Sequence, residues 1–205
     1  MLTETLGLNT LEDQYSSGAY LKRDLQIVRG QGAYLWDNQG NRYIDCVGGQ
    51  GAANLGHAHP AILAAIQQQA AQLITCPELF HNPVRARYQA ELCKAASMSR
   101  VFLCNSGTEA NEAAIKFARL ANPGRSHLVA LQESFHGRTA GSLSLTGHEA
   151  YRTPFAPLVP NVTFVEPNDV AAIEAAVTAE TSAIFLEPVM GEGGIIPLSD
   201  EFLIA

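Results

Sequence analysis

The 205 residues are enough for one globular domain with a well-filled core, and their composition excludes several classes of protein. Hydrophobic residues make up 47% of the chain and charged residues 16%, a balance that favours a packed core over disorder. The formal net charge of -7 disfavours a nucleic-acid partner, because proteins that bind phosphate backbones concentrate Lys and Arg on one face. The sequence has three lysines, Lys22, Lys94 and Lys116.

The sequence also lacks the patterns of metal binding, secretion and membrane insertion. No two of the four cysteines have C-x-x-C spacing, so we expect neither a zinc site nor a disulfide framework. The acidic N-terminal stretch has no basic segment followed by an apolar one, and no run of 18 apolar residues occurs. We therefore expect a cytoplasmic protein.

Residues 1–58 are predicted to form an N-terminal arm and a hairpin. The stretch up to about Asp24 is typical of an arm or a short helix. Two β-rich runs, residues 33–36 and 42–45, flank an Asp/Asn/Gly turn, and this order predicts an antiparallel pair of strands. Residues 48–53 (GGQGAA) contain too much glycine for a regular element.

Residues 59–205 are predicted to form the first part of a larger α/β domain. A helix should begin near Pro60, because proline is tolerated in the first helical turn. Further helices are expected at residues 109–121 and 169–179. Short apolar runs predict strands, and they cover residues 101–104, 127–131, 162–165 and 183–186. Strands that alternate with helices in this way indicate a parallel sheet covered on both faces.

The first candidate motif is NSGTEAN at residues 105–111, where a predicted strand gives way to a helix. The first turn of a helix carries unpaired N–H groups and the positive end of the helix dipole, and glycine lets an anion approach closely. The motif therefore favours a phosphate site. A capping box between Ser106 and Glu109 is the alternative interpretation. A Walker P-loop is excluded because no G-K-[ST] follows.

The second motif is ESFHGRT at residues 133–139, directly after the next predicted strand. In open parallel sheets, ligands bind at the carboxyl ends of the strands, so this loop should face the same crevice as the phosphate site. Phe135 could lie flat on an aromatic ring, and Arg138 could bind a carboxylate through two parallel hydrogen bonds. Alternatively, Arg138 is an ordinary solvated side chain.

The third motif is EPVMGEGG at residues 187–194, again at the carboxyl end of a predicted strand. Pro188 and the three glycines impose an irregular loop, and Glu187 could face the crevice. A turn with solvated acidic side chains is the alternative interpretation.

Together these motifs resemble those of the class III (ornithine-type) aminotransferases, and GAANLGHAHP at residues 51–60 resembles their N-terminal region. The four motifs occur in the family's order and with its spacing. Within the class the chain is most similar to acetylornithine aminotransferases, close to the lysine-biosynthetic branch in which a small acidic carrier protein holds the substrate amine. Gln50 departs from the family, in which an aromatic residue is common at this position.

The resemblance implies the fold and the roles of individual residues. It implies the fold type I of pyridoxal 5'-phosphate (PLP) enzymes, with an incomplete three-layer α/β/α large domain. It also implies that Gly107 and Thr108, with Ser106 close by, bind the cofactor phosphate. The other implied roles are a ring platform for Phe135, a place near the cofactor for Glu187, binding of the substrate α-carboxylate for Arg138, and a substrate-side role for Glu192.

The resemblance further places the lysine that forms the Schiff base with the cofactor beyond residue 205, so no catalytic residue is expected in this chain. The family's strand order is 3-2-4-5-6-7-1, of which this chain would supply strands one to four. We expect a longer parent that forms a homodimer and transfers an amino group between an N-acylated ornithine- or lysine-type ω-amine and 2-oxoglutarate. The alternatives are a truncated, non-catalytic phosphate-binding or dimerising subunit, and another class III chemistry such as an aminomutase.

Overall fold

The structure is a computed structural model that describes residues 7–205, apart from the side chain of Leu8. The chain divides into two compact units, and the division falls between Pro83 and Val84. The boundary predicted after residue 58 lies inside the first unit, where it separates a small sheet from a helix. Within residues 7–205, no helix combines the length and the hydropathy that crossing a bilayer requires.

The first unit contains a three-stranded antiparallel sheet. Its strands are β1 (Ile27–Gln31), β2 (Tyr34–Asp37) and β3 (Arg42–Ile44), in the order β1-β2-β3. The predicted hairpin is confirmed, since Leu35 lies opposite Tyr43 in the register of β2 and β3. Strand β1 was not predicted from the sequence, and it adds a third strand beside β2.

Helices α1 (Leu8–Tyr15) and α2 (Pro60–Ala70) belong to the same unit. Helix α1 confirms the short helix expected near the N-terminus. Helix α2 begins at the predicted proline, whose missing N–H costs nothing in the first turn of a helix.

The second unit alternates helices with parallel strands. In chain order its main elements are α3 (Pro83–Ala95), α4 (Gly107–Ala121), β4 (His127–Leu131), α5 (Ala140–Ser144), α6 (Glu149–Arg152), β5 (Val162–Val165), α7 (Val170–Ala176), β6 (Thr181–Phe185), β7 (Val189–Met190), β8 (Ile196–Pro197) and α8 (Asp200–Ile204). A short 3-10 helix, Thr153–Phe155, follows α6. Strands β7 and β8 form a small antiparallel pair.

The parallel sheet has the order β5-β4-β6, and its middle strand β4 is buried along its whole length. Leu128 and Ala130 pack on one face of the sheet in a cluster that contains Ile115 of α4. Val129 and Leu131 pack on the other face in a cluster that contains residues of α7 and α8. The three-layer arrangement is therefore confirmed, and the strand order is the one expected for this part of the family sheet.

Two predicted elements differ from the structure more than the others do. Residues 101–104, predicted as the first strand, pair with no other strand among residues 7–205, although they form the apolar run that suggested one. A strand is stable only when a neighbour satisfies its backbone groups, and no described strand lies beside this segment. Helix α7 ends at Ala176 rather than near residue 179, because the backbone of Val177 is already extended.

Candidate functional site

The N-terminus of α4 begins at the first motif and is closed by a reciprocal pair of hydrogen bonds. The Ser106 hydroxyl accepts from the Glu109 N–H at 3.3 Å and donates to Glu109 Oε2 at 2.8 Å. The Asn105 N–H also donates to Glu109 Oε2, at 2.9 Å. These hydrogen bonds, that from Ser106 foremost, lower the pKa of Glu109. The capping box considered in the sequence analysis is therefore present.

The capping box leaves two donors for an anion. The backbone N–H groups of Gly107 and Thr108 have no acceptor among the described residues, as expected for the first turn of a helix. A Cβ atom built on Gly107 would meet no heavy atom within 4 Å, so the space beside this turn is open. Free donors, open space and the helix dipole fit the phosphate group of PLP. The one proton of the Ser106 hydroxyl goes to Glu109, so Ser106 supports this turn by capping it.

The second motif packs directly on this turn. The loop leaves β4 through Glu133, whose φ of 59° lies in the left-handed region. A Cβ atom on Gly137 would lie 2.3 Å from Thr108 Oγ1, so glycine is needed for this approach. The hydroxyls of Thr108 and Thr139 lie 2.9 Å apart. The first and second motifs therefore meet at the carboxyl end of the sheet, as predicted.

Glu187 of the third motif joins two loops through its two carboxylate oxygens. The Phe135 N–H donates to Oε1 at 2.9 Å, and the Gly191 N–H donates to Oε2 at 3.2 Å. A Cβ atom on Gly193 would lie 2.9 Å from the Glu133 carbonyl oxygen, so the third loop also packs tightly on the second. Glu187 was considered in the sequence as an acid that faces the crevice. In the structure its carboxylate holds the backbone of the half-buried Phe135.

The predicted substrate-side residues are both exposed. The Arg138 guanidinium carbon lies 6.0 Å from the centre of the Phe135 ring, on the same loop. Glu192 lies on the third loop, and within residues 7–205 it makes no hydrogen bond or ion pair. The structure therefore brings together Thr108, Phe135 and Glu187, with Arg138 beside them, whereas Glu192 stands apart from their contacts.

Sequence reasoning assigned no role to several polar residues that build this edge of the sheet. The Asn111 side chain donates to the His136 carbonyl at 2.7 Å, and the His136 N–H donates to Thr146 Oγ1 at 3.1 Å. Glu112 binds the loop that follows Arg138. Thr108, Asn111 and Glu112 recur at the spacing of one helix face that continues to the buried Ile115, and this pattern was visible in the sequence.

His136 is buried, with 7% of its surface exposed, and its ring lies edge-on to Phe185 at 6.1 Å. Burial lowers the pKa of His136, and the negative charge of Glu187 opposes this effect. The imidazole is therefore neutral at pH 7. Its Nε2 atom has no hydrogen-bond partner among the described residues.

The fold and the site define an α/β domain that presents a helix N-terminus with free N–H groups, an aromatic side chain and a guanidinium at the carboxyl edge of a parallel sheet. The family described as aminotransferase class-III matches residues 15–205. The chain therefore belongs to the class III aminotransferases, which are PLP-dependent enzymes.

Individual relatives agree with this assignment. The chain is 48% identical over 196 residues to the [LysW]-aminoadipate semialdehyde transaminase of Deinococcus radiodurans, covering 94% of this chain and 46% of the relative. It is 44% identical over 183 residues to the acetylornithine aminotransferase of Halalkalibacterium halodurans, covering 89% and 47%.

Among solved structures, the ornithine aminotransferase of Toxoplasma gondii, which has PLP in partial occupancy at its active site, superposes with a TM-score of 0.89 at 29% identity, covering 96% of this chain and 48% of that one. The chain spans about half the length of the curated relatives that it matches.

Proposed function

We propose that this chain forms the cofactor-phosphate and substrate-carboxylate side of a transaminase. The complete protein would move an amino group between an N-acylated ornithine- or lysine-type ω-amine and 2-oxoglutarate, in arginine or lysine biosynthesis. The names of the two relatives support both pathways, and the bracketed carrier in the first name supports a small carrier protein as partner. We also propose that the complete protein is a cytoplasmic homodimer.

Each residue of the site has one task in this proposal. The N–H groups of Gly107 and Thr108, with the Thr108 hydroxyl, bind the cofactor phosphate, and Ser106 holds the turn in shape. Phe135 supports one face of the pyridine ring, and Glu187 holds Phe135 in place. Arg138 binds the substrate α-carboxylate as a bidentate partner, and Glu192 contributes on the substrate side. When bound, PLP supplies the electron sink that transamination requires.

One observation carries the proposal, namely the meeting of three distant motifs at one edge of the sheet. Gly137 lies against Thr108, and the Phe135 N–H bonds to the Glu187 carboxylate at 2.9 Å. Ordinary helix capping explains Ser106 and Glu109 alone. It does not explain why an aromatic side chain and an arginine follow within three residues of each other on the loop that packs on the same turn.

The test is a comparison of two amino donors in the complete protein loaded with PLP. We expect glutamate to form from 2-oxoglutarate with N-acetylornithine or with a carrier-linked lysine-type amine, and the ratio of the two kcat/KM values identifies the pathway. Arg138→Lys retains the charge but loses the bidentate geometry. We therefore expect this variant to raise the KM of both amino donors about tenfold or more.

Absence of glutamate formation with either donor would contradict the proposal. If the complete protein then bound PLP without turnover, the result would favour the alternative interpretation, a non-catalytic phosphate-binding subunit. Conversion of an amino acid into its own positional isomer, without 2-oxoglutarate, would instead indicate an aminomutase.

A further inference from the structure

Glu112 lies on the inner face of α4, and one of its oxygen atoms accepts three hydrogen bonds from the end of the Arg138 loop and the first turn of α5. Oε1 accepts from the Gly141 N–H at 2.9 Å, from the Ser142 N–H at 3.3 Å and from the Thr139 hydroxyl. These donors are at least 27 residues away in sequence. A half-buried carboxylate with three donors is well compensated for its loss of water.

This carboxylate replaces a missing helix cap. Helix α5 begins at Ala140. Thr139 occupies the N-cap position before it, but its side chain makes no capping hydrogen bond to this helix. The free N–H groups of its first turn therefore need another acceptor, and Glu112 supplies it from a different helix. The order of residues 139–142 thus depends on a side chain of α4.

The loop approaches so closely because two of its residues have no side chain. A Cβ atom on Gly141 would lie 2.2 Å from Glu112 Oε2, and one on Gly137 would lie 2.3 Å from Thr108 Oγ1. A side chain at residue 141 would therefore displace the Glu112 carboxylate, whereas one at residue 137 would meet the Thr108 Cβ atom as well, in a backbone conformation that favours glycine.

The same carboxylate sets the direction of a hydroxyl network that reaches the phosphate turn. Because an ionised carboxylate only accepts hydrogen bonds, Thr139 donates its proton to Glu112 and its oxygen becomes an acceptor. The Thr108 hydroxyl lies 2.9 Å and the Ser142 hydroxyl 2.8 Å from that oxygen. Thr108 and Ser142 are also in hydrogen-bond contact with each other. An anion at the helix N-terminus can therefore accept a hydrogen bond from the Thr108 hydroxyl while the Ser142 hydroxyl donates to Thr139 Oγ1.

We propose that Glu112 is a positioning residue that couples the cofactor side of the site to its substrate side. It holds residues 139–142, and through them it sets the place of Arg138, the direct neighbour of Thr139, and the orientation of the Thr108 hydroxyl. The part that concerns ligands rests on the proposed function, since it takes Arg138 as the carboxylate-binding residue and Thr108 as a phosphate-binding one.

The first experiment measures the local stability of residues 139–142 and does not depend on catalytic activity. Hydrogen exchange of the Gly141 and Ser142 amides is compared in the complete protein, in Glu112→Ala and in Glu112→Gln. We expect Glu112→Ala to speed exchange about tenfold or more, because both N–H groups lose their acceptor. Glutamine keeps one carbonyl oxygen and should restore most of the protection. The matched control is Glu174→Ala, an exposed glutamate of α7 that should leave these amides unchanged.

The second experiment separates the two ligands of the site. KM is measured for an amino-acid donor and for a primary amine without a carboxylate, and Kd is measured for PLP with the protein freed of cofactor. For Glu112→Ala we expect KM of the amino acid to rise about tenfold, KM of the simple amine to change less than about threefold, and Kd of PLP to rise about threefold. A residue that only stabilises the fold would raise both KM values equally.

A variant of the hydroxyl completes the test. Thr139→Val removes the donor to Glu112 and retains the shape of the side chain, and we expect the double variant with Glu112→Ala to have the same amino-acid KM as Glu112→Ala alone. If Glu112→Ala does not fold, as judged by circular dichroism, Glu112→Gln and Thr139→Val decide the question by the same measurements.

Unchanged exchange at Gly141 and Ser142, equal rises of both KM values, or additive effects of the two substitutions would each overturn the inference. Failure of the unsubstituted protein to transaminate would overturn the proposed function instead. The exchange data and the Kd of PLP would still decide whether Glu112 orders this loop.

Discussion

Gly137 shows at the level of a single residue how closely two parts of the site are packed. Its φ of 128° is a conformation that side chains rarely adopt, and a Cβ atom there would lie within 2.6 Å of both the Thr108 and Ser142 hydroxyl oxygens. The motif around Gly137 was recognised in the sequence, but the sequence does not show why this loop position needs a glycine. The close approach to Thr108 in the structure shows why a side chain does not fit there.

We therefore predict that Gly137→Ala lowers the free energy of unfolding by about 2–4 kcal/mol, through backbone strain and overpacking together. It should also weaken PLP binding, because Thr108 has to move. Urea denaturation and a PLP titration measure the two effects. Gly124→Ala is the matched control: its φ of 87° is also positive, but a Cβ atom there meets nothing within 4 Å. A Gly124→Ala loss as large as that of Gly137→Ala would show that strain alone accounts for the effect.

Ser106 and Glu112 show how far residue-level reasoning reaches. The spacing of Ser106 and Glu109 was sufficient to predict a capping box, because both partners lie within one turn of chain. Nothing local predicts the partners of Glu112, which are 27 to 30 residues away. A hydrogen bond over that distance is set by how the helix and the loop pack.

Among the elements, α4 differs most from its sequence-based description. In the sequence, the alanines of this helix and Phe117 fall on one side, which favours a single apolar face. In the structure Phe117 is 52% exposed and meets Phe102 edge-on at 5.7 Å, while Ile115 is buried against the sheet. The inner face is polar in its first two turns, where it contacts loops, and apolar beyond them. A search for apolar periodicity therefore missed its polar half.

The segment that follows β3 is held by hydrogen bonds of Asp45 within the first unit. Asp45 Oδ2 lies 2.6 Å from His57 Nε2, and Oδ1 accepts from the N–H groups of Gly48 and Val47 at 2.8 and 3.0 Å. The hydrogen bond with His57, followed by those from the two backbone groups, lowers the pKa of Asp45 from its ordinary value of 3.8.

Because the folded pKa of Asp45 is the lower one, its contribution to stability is fully present above pH 3.8 and is lost as the pH falls from there through the folded value. We predict that Asp45→Asn reduces stability at pH 7 and flattens the acid limb of the stability profile. Trp36, the single tryptophan of the chain, lies in β2, so its fluorescence during denaturation at each pH measures the stability of this unit. Asp200→Asn, in α8 of the other unit, is the control. An unchanged acid limb in Asp45→Asn would refute the prediction.

At the largest scale, β6 lies at one edge of the parallel sheet that residues 7–205 form, and this edge is apolar. Ile184 pairs with Val129 of the buried strand β4, yet 42% of its surface is exposed. The family strand order 3-2-4-5-6-7-1 likewise places the fourth strand at an edge of the part of the sheet that strands one to four form. Exposed apolar edges template pairing with other chains.

For residues 1–205 as an isolated polypeptide, we predict that Ile184→Lys reduces self-association, because a charge on an edge strand opposes pairing. Light scattering against protein concentration measures the effect. Val177→Lys is matched to it, since Val177 is 43% exposed but follows α7 and lies in no strand. Equal reductions in both variants would attribute the effect to net charge and not to the edge.

The sequence by itself determined the class of the fold, the hairpin, the alternation that makes the sheet parallel and the three motifs of the site. These depend on turn residues, apolar periodicity and short spacings, which act locally along the chain. Only the tertiary structure decided that Glu187 holds Phe135 and that Glu112 caps α5. Each of these depends on partners remote in sequence, and their meeting is set by the packing of helices and loops on the two faces of one buried strand.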